Sequence, residues 1–167
     1  MMDVVRIFNK NNFIIVFFTI ALFSIDRFTK IKIINLLLNN NGSIYINDYL
    51  NLDLVWNTGI GFGLASMEKG IYYHALTLLI LMVNFVLIYL LIKSKGIYSY
   101  LLAIIIGGSL GNLFDRIYYF AVPDFIDLHL GDYDWFIFNV ADIFITVGII
   151  GYIFVELFKK EPISKNV

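Results

Sequence analysis

Apolar residues fall along this chain in four long runs, and each run carries its polar residues at telling places. Phe13–Ile25 has no charge and continues past Asp26-Arg27 and Lys30 into Ile31–Leu38. Gly70–Ile92 contains only His74 and Asn84 as strongly polar members; Ile97–Phe114 is the third run, and Trp135–Val155, with Asn139 and Asp142, the fourth. A helix crossing the hydrocarbon of a bilayer needs roughly 20 residues. The pattern therefore predicts four transmembrane helices over about 12–34, 70–92, 97–117 and 135–158. The first qualifies only with Asp26 or Lys30 inside the helix near one membrane face. Arg6 and Lys10 ahead of a short apolar core look like the start of a signal peptide, but no small-x-small site closes the run, so the segment is read as retained.

Between the first two runs lies a segment, about 39–69, too long for a turn. In it Leu50, Leu52, Leu54 and Trp56 alternate with Asn51, Asp53, Val55 and Asn57, the period of a strand with one apolar face. Gly59, Gly61 and Gly63 then break the pattern. A small sheet at the outer membrane surface is the expected result. Basic residues set the orientation: Lys93 and Lys95 tightly flank two runs, whereas Ile117–Asp134 holds Asp124, Asp127, Asp132 and Asp134 and no Lys or Arg. Both termini are thus expected in the cytoplasm, and the long polar segments outside. In the third run Gly107 and Gly111 form a small-xxx-small pair suited to close helix packing in lipid.

Composition agrees with this reading. Of 167 residues, 60% are hydrophobic and 15% charged, against about 25% charged in typical soluble proteins. One domain of this length cannot hide so much apolar surface from water, so a single membrane domain over 1–167 is expected. The net charge of −1 gives no basic surface for nucleic acid, and the absence of cysteine excludes disulfides, thiol catalysis and Cys-ligated metal sites.

Asp115 and Asp142 carry the candidate chemistry. Antiparallel neighbouring helices bring the end of the third run and the start of the fourth toward the same membrane face, with Asn112 three residues before Asp115 and Asn139 three before Asp142, each Asn on its Asp's helical face. Arg116, four after Asn112, reaches the same region. Ionisable residues within membrane helices are costly and face a bundle interior or a pathway. Two carboxyl groups sharing a site hold one proton between them, and that arrangement lets one activate water while the other donates to a scissile carbonyl. On residues alone, the same pair also suits a proton-coupled transport element, or an assembly subunit whose Asp142 meets a partner's cation. Asp26 and Lys30, spaced as a helical ion pair, read as neutralising each other at the lipid–water boundary.

The blocks Asp26-Arg27-Phe28-Thr29-Lys30, Asn57-Thr58-Gly59-Ile60-Gly61-Phe62, Gly107-Gly108-Ser109-Leu110-Gly111-Asn112-Leu113-Phe114-Asp115-Arg116, Val122-Pro123-Asp124-Phe125-Ile126 and Phe138-Asn139-Val140-Ala141-Asp142 occur in this order across most of the chain. Taken together, the sequence resembles the lipoprotein signal peptidases (signal peptidase II), aspartic peptidases of bacterial membranes. The resemblance implies an all-α polytopic membrane fold of four transmembrane helices with an extracytoplasmic β-cradle and a short extracytoplasmic helix. It implies Asp115 and Asp142 as the catalytic dyad, with Asn57, Asn112, Arg116 and Asn139 binding substrate or supporting the dyad. Asp26, Lys30, Gly108 and Asp124 fall to structural roles, with no metal and no cofactor. It further implies diacylglyceryl-modified prolipoprotein substrates, cleaved on the amino side of the lipidated cysteine, in a bacterial cell membrane, with no obligate protein partner. Gly61, Phe136 and Ile143 depart from the usual family residues at their positions; none removes a proton-handling group.

Overall fold

The computed structural model describes residues 10–59, 70–131 and 133–159. Gly61 and Gly63, the outer segment over 60–69, Asp132, and the flanking cations Arg6, Lys69, Lys160 and Lys165 lie outside them. The chain runs α1 (Lys10–Leu38), β1 (Ser43–Asn47), β2 (Leu50–Asn57), α2 (Ile71–Lys93), α3 (Ile97–Tyr118), β3 (Val122–Leu130), β4 (Tyr133–Phe138) and α4 (Val140–Leu157). It is thus a helix, a hairpin and a helix, twice over.

The two hairpins join into one antiparallel sheet of order β1-β2-β3-β4. Its central pairing sets Leu52 against Ile126, Val55 against Asp124 and Asn57 against Val122, with an irregularity between Leu52 and Val55. The sheet connects the ends of α1 and α3 to the starts of α2 and α4, so it sits at one end of the bundle, and the start of α1 and the end of α4 lie at the other. Helix α1 is continuous through Asp26, Arg27 and Lys30, as the first run required. Three helices, α2, α3 and α4, are long and apolar enough to cross a membrane.

Helix α3 is the centre of the bundle, with buried residues from Ser99 to Arg116 along its length. Its glycines set the approach of its neighbours. A Cβ on Gly107 would meet Leu22 Cβ at 2.8 Å and one on Gly111 would strike the Asp26 carboxylate, so both members of the small-xxx-small pair face α1. A Cβ on Gly108 would strike the Ala141 carbonyl oxygen of α4. Helix α2 buries only Tyr73 and Asn84. Asn84 donates to Ser109 at 2.9 Å and Tyr73 to the Arg116 carbonyl at 2.9 Å, two polar pins onto α3. Unsatisfied polar groups in hydrocarbon are expensive, which makes such pins specific.

The fourth element begins later than the hydropathy run suggests. The run's opening residues, from Trp135 to Phe138, belong to β4, which pairs with β3, and α4 starts at Val140. The cause is local. Aromatic and β-branched residues suit a strand, and Asn139 caps the helix in a reciprocal box with Asp142, each side chain engaging the other's backbone N–H. The sheet expected over 39–69 is half of the sheet found; the other half comes from 122–138, where no strand is expected. Among the described residues no short helix accompanies the sheet.

Candidate active site

The site forms where the sheet meets α1, α3 and α4. One layer is an ion quartet of net zero charge. Lys30 points its ammonium at Asp115 Oδ2 (2.7 Å), Asn112 Oδ1 (2.8 Å) and Asp26 Oδ2 (3.0 Å). Arg27 pairs with the other Asp115 oxygen and stacks its guanidinium 4.7 Å from the Phe114 ring centre. Asp26 turns its second oxygen to the backbone N–H of Ala141 at 3.0 Å, tying α1 to the start of α4. Asp26, Lys30 and Asp115 are each 0% exposed. Removing one member of a buried set like this leaves an uncompensated charge and is strongly destabilising, by about 3–5 kcal/mol.

The second layer holds two carboxyl groups met only by neutral donors. Asp142 accepts from the Asn112 carboxamide at 2.8 Å and from the Asn139 backbone N–H at 3.1 Å, while Asn139 Oδ1 accepts from the Asp142 N–H at 3.3 Å. Asp124, on β3, accepts from Asn139 Nδ2 at 2.6 Å and from Asn57 Nδ2 at 2.9 Å. Asn139 therefore touches both acids, one through its side chain and one through its backbone. Burial pushes the Asp124 carboxyl up to about 6, and the neighbouring Asp142 carboxylate adds to the rise; hydrogen bonds from Asn57 and Asn139 and the charge of Lys30 oppose it. Asp142 and Asn112 are partly accessible, whereas Asp115 is sealed behind its two cations.

The rim is set by Asn57 and Arg116. Asn57 Oδ1 accepts from the Gly59 N–H at 2.8 Å, and Arg116 donates to the Gly59 carbonyl. Arg116 is itself held through its carbonyl by Tyr73, whose ring lies 5.8 Å from the guanidinium.

All ten singled-out residues thus fall in one connected region, but their grouping differs from the sequence expectation. Asp115 was expected to share a proton with Asp142; in the structure both of its oxygens meet cations, and the acid with only neutral partners beside Asp142 is Asp124. Lys30, expected to pair with Asp26 at the boundary, also reaches Asp115 and Asn112 across the α1–α3 contact. Arg27 was not singled out at all. Its signal was present in three charges closing an apolar run within five residues, a cluster that needs further partners to be buried. Among the described residues no group of three or more His, Cys, Asp or Glu is placed to hold a metal ion.

Comparison with known proteins agrees with this architecture. Residues 18–158 match the family described as signal peptidase (SPase) II. The chain is 45% identical over 160 residues to the lipoprotein signal peptidase of Pelagibacter ubique (strain HTCC1062), covering 94% of this chain and 96% of that protein. It is 43% identical over 127 residues to that of Anaplasma phagocytophilum (strain HZ), covering 74% and 80%. Among solved structures, a bacterial membrane enzyme determined by the in meso method at 2.3 Å superposes with a TM-score of 0.68 at 26% identity, over 90% of this chain and 94% of that one. A second, at 1.9 Å, reaches a TM-score of 0.71 at 24% identity and shares the fold. With the family match spanning most of its length and its helices built for lipid, this chain is a membrane protease belonging to the signal peptidase II family.

Proposed function

We propose that this protein is an intramembrane aspartic endopeptidase that removes the signal peptide from diacylglyceryl-modified prolipoproteins, cutting on the amino side of the lipidated cysteine. The names of its relatives support the substrate class. The observation that carries the mechanism is the pair Asp124 and Asp142, each bonded to neutral amides and both bonded to Asn139. The pair replaces Asp115 and Asp142 as the proton-sharing dyad. Asp115, with a cation on each oxygen, serves as the counter-ion of Arg27 and Lys30. Asp124, raised to about 6, is the acid poised to hold a proton.

In this reading the more accessible Asp142, ionised, takes a proton from water, and Asp124, protonated, donates to the scissile carbonyl oxygen. The water oxygen bonds to the carbonyl carbon, giving a tetrahedral diol. Collapse breaks the C–N bond, and the proton held by Asp142 passes to the leaving amine of the cysteine. Asp124 recovers its own proton as the carbonyl reforms. Arg116 and Asn57 hold the Gly59 backbone at the edge of this site, where an extended peptide would lie.

All four helices cross the membrane in this proposal, α1 placing its charged residues at the sheet end. The whole chain is one membrane domain, with both termini cytoplasmic and the sheet and dyad at the outer face. Lys93 in the last turn of α2, and Lys95 and Lys159 at the same end of the bundle, support that orientation. The substrate's acyl chains then remain in hydrocarbon while its scissile bond meets the acids, with burial worth about 0.8 kcal/mol per CH₂ before ordering costs. The test is cleavage in vitro of a diacylglyceryl-modified peptide beside its unlipidated twin, by the wild type and by Asp124→Asn, Asp142→Asn and Asp115→Asn. Turnover of the lipidated peptide only, abolished in both the Asp124 and Asp142 variants, is expected. Near-normal cleavage by Asp124→Asn refutes the dyad.

A further inference from the structure

We infer that Lys30 is a positioning residue of this site, orienting the Asn112 carboxamide so that its N–H group meets Asp142. The inference rests on the proteolytic reading above and extends it across the helix contact. The Lys30 ammonium donates to Asp115 Oδ2 and to Asn112 Oδ1 and forms an ion pair with Asp26 Oδ2 at 3.0 Å. The two carboxylates hold the charge, and one proton goes to the amide oxygen. That contact decides which way the amide faces. With Oδ1 on Lys30, Nδ2 lies 2.8 Å from Asp142 Oδ1. Flipped, the amide would turn two N–H groups toward an ammonium and an oxygen toward a carboxylate, unfavourable at both ends.

A carboxamide on a membrane helix has no such preference by itself. Asn112 is one turn from Asp115 on α3, and its oxygen is told apart from its nitrogen by the charge it meets. The cation that does so comes from α1, held in place by Asp26, whose other oxygen is bonded to the Ala141 N–H one residue before Asp142. Lys30 thus fixes the aim of a donor on one face of Asp142, while Asp26 fixes the backbone beside it. Its ammonium is sealed from solvent and reaches the reacting acid only through Asn112.

The experiment compares three variants in detergent with the lipidated peptide. Asn112→Ala removes the relay and leaves all four charges paired. Asp26→Asn/Lys30→Met removes the cation and one anion together, keeping the remaining Arg27–Asp115 pair neutral. The third variant combines all these changes. A misaimed donor at a reacting group is expected to cost roughly tenfold to a hundredfold in kcat, with KM held within about twofold in both separate variants. The combined variant is expected to lose no more than Asn112→Ala alone, because both act through one hydrogen bond. Wild-type kcat in Asn112→Ala, or in a folded Asp26→Asn/Lys30→Met, overturns the inference, as do losses that multiply in the combined variant. Should Asp26→Asn/Lys30→Met not fold, Lys30→Met/Asp115→Asn, which also removes one charge of each sign, takes its place, and a wild-type kcat in it likewise overturns the inference. Asp142→Asn, measured alongside, separates the two proposals: if it cleaves normally the proteolytic reading fails, whereas a dead Asp142→Asn beside a fully active Asn112→Ala removes only the relay.

Discussion

Replacing Asp124 by Asn is expected to stop cleavage and to remove a loss of folding stability that the wild type suffers between about pH 4 and 6. Asp124 is 3% exposed and meets only neutral donors, so its ionised form is disfavoured in the folded state and the carboxyl rises from 3.8 to about 6. As pH climbs from about 4, an unfolded chain gives up this proton first. The folded chain holds it until about 6, so folding loses stability across that window and then levels off. A rise of about two units at about 1.4 kcal/mol each amounts to about 3 kcal/mol. Asn imitates the protonated acid: one oxygen accepts, and one amino group faces a donor. The neighbouring amides cannot flip to relieve that contact. Asn57 Oδ1 is occupied by the Gly59 N–H and Asn139 Oδ1 by the Asp142 N–H. A neutral carboxyl escapes that mismatch, because its hydroxyl oxygen still accepts from the facing N–H; the Asn amino group does not, and the contact costs the variant about 1–3 kcal/mol at every pH. The assay is thermal unfolding in detergent micelles from pH 4 to 8, wild type against variant. The difference between the two curves should shift in favour of the Asp124→Asn variant by about 2–3 kcal/mol from pH 4 to pH 7 and then level off. A difference that ignores pH refutes the account of Asp124 as a proton-holding acid.

Asp115→Asn should behave oppositely: with Arg27 and Lys30 left facing one carboxylate, the folded state is expected to lose about 3–5 kcal/mol, read as a lower melting temperature and poor yield. Asp142→Asn is expected to be inactive yet folded, losing about 1 kcal/mol with one arm of the box that starts α4; unchanged cleavage would contradict its role. Gly108→Ala pushes a methyl group into the Ala141 carbonyl and should cost about 1–3 kcal/mol of stability. Because Ala141 precedes Asp142, kcat is expected to fall with it, and a variant stable and active as the wild type would show that α3 and α4 do not need so close an approach.

How far the sequence leads here depends on whether a residue's partners lie on its own element. Asn139 and Asp142 are three apart, so spacing finds them as a pair, but that they cap a helix starting at Val140 rather than near 135 shows only in the backbone. Gly107 and Gly111 are likewise readable, because a repeat of four on one helix defines a face before any partner is known. Asp26 and Lys30 are only half readable: their spacing gives the pair, but Lys30 spends two hydrogen bonds on α3. Strand β3 is hidden for another reason. Val122-Pro123-Asp124-Phe125-Ile126-Asp127 carries a proline and two acids, poor material for a strand, and pairing on both sides overrides that preference. Asp124, placed on that strand, then reads as a loop acid when it is the buried one. Strand β4 vanishes into the apolar run that follows it, since hydropathy cannot tell a strand from the first turns of a membrane helix.

The duplicated helix–hairpin–helix order explains why the acids end up where they do. Each half by itself has a two-stranded hairpin, which is marginal in water, and pairing β2 with β3 makes one sheet of four strands from the two. That seam carries Asn57 from the first half to Asp124 of the second. The α1–α3 contact makes a parallel seam below it, carrying Lys30 and Arg27 to Asp115 and Asn112. Asp124 and Asp142 both belong to the second half, yet each is bonded to an amide whose orientation a first-half group decides: Asn57 is itself from the first half, and Asn112 is aimed by Lys30. A second half alone would bring the two acids to Asn139 with nothing to fix their outer faces. Joining the halves therefore does more than close the sheet; it gives two acids, one on β3 and one in the first turn of α4, donors from both halves of the chain.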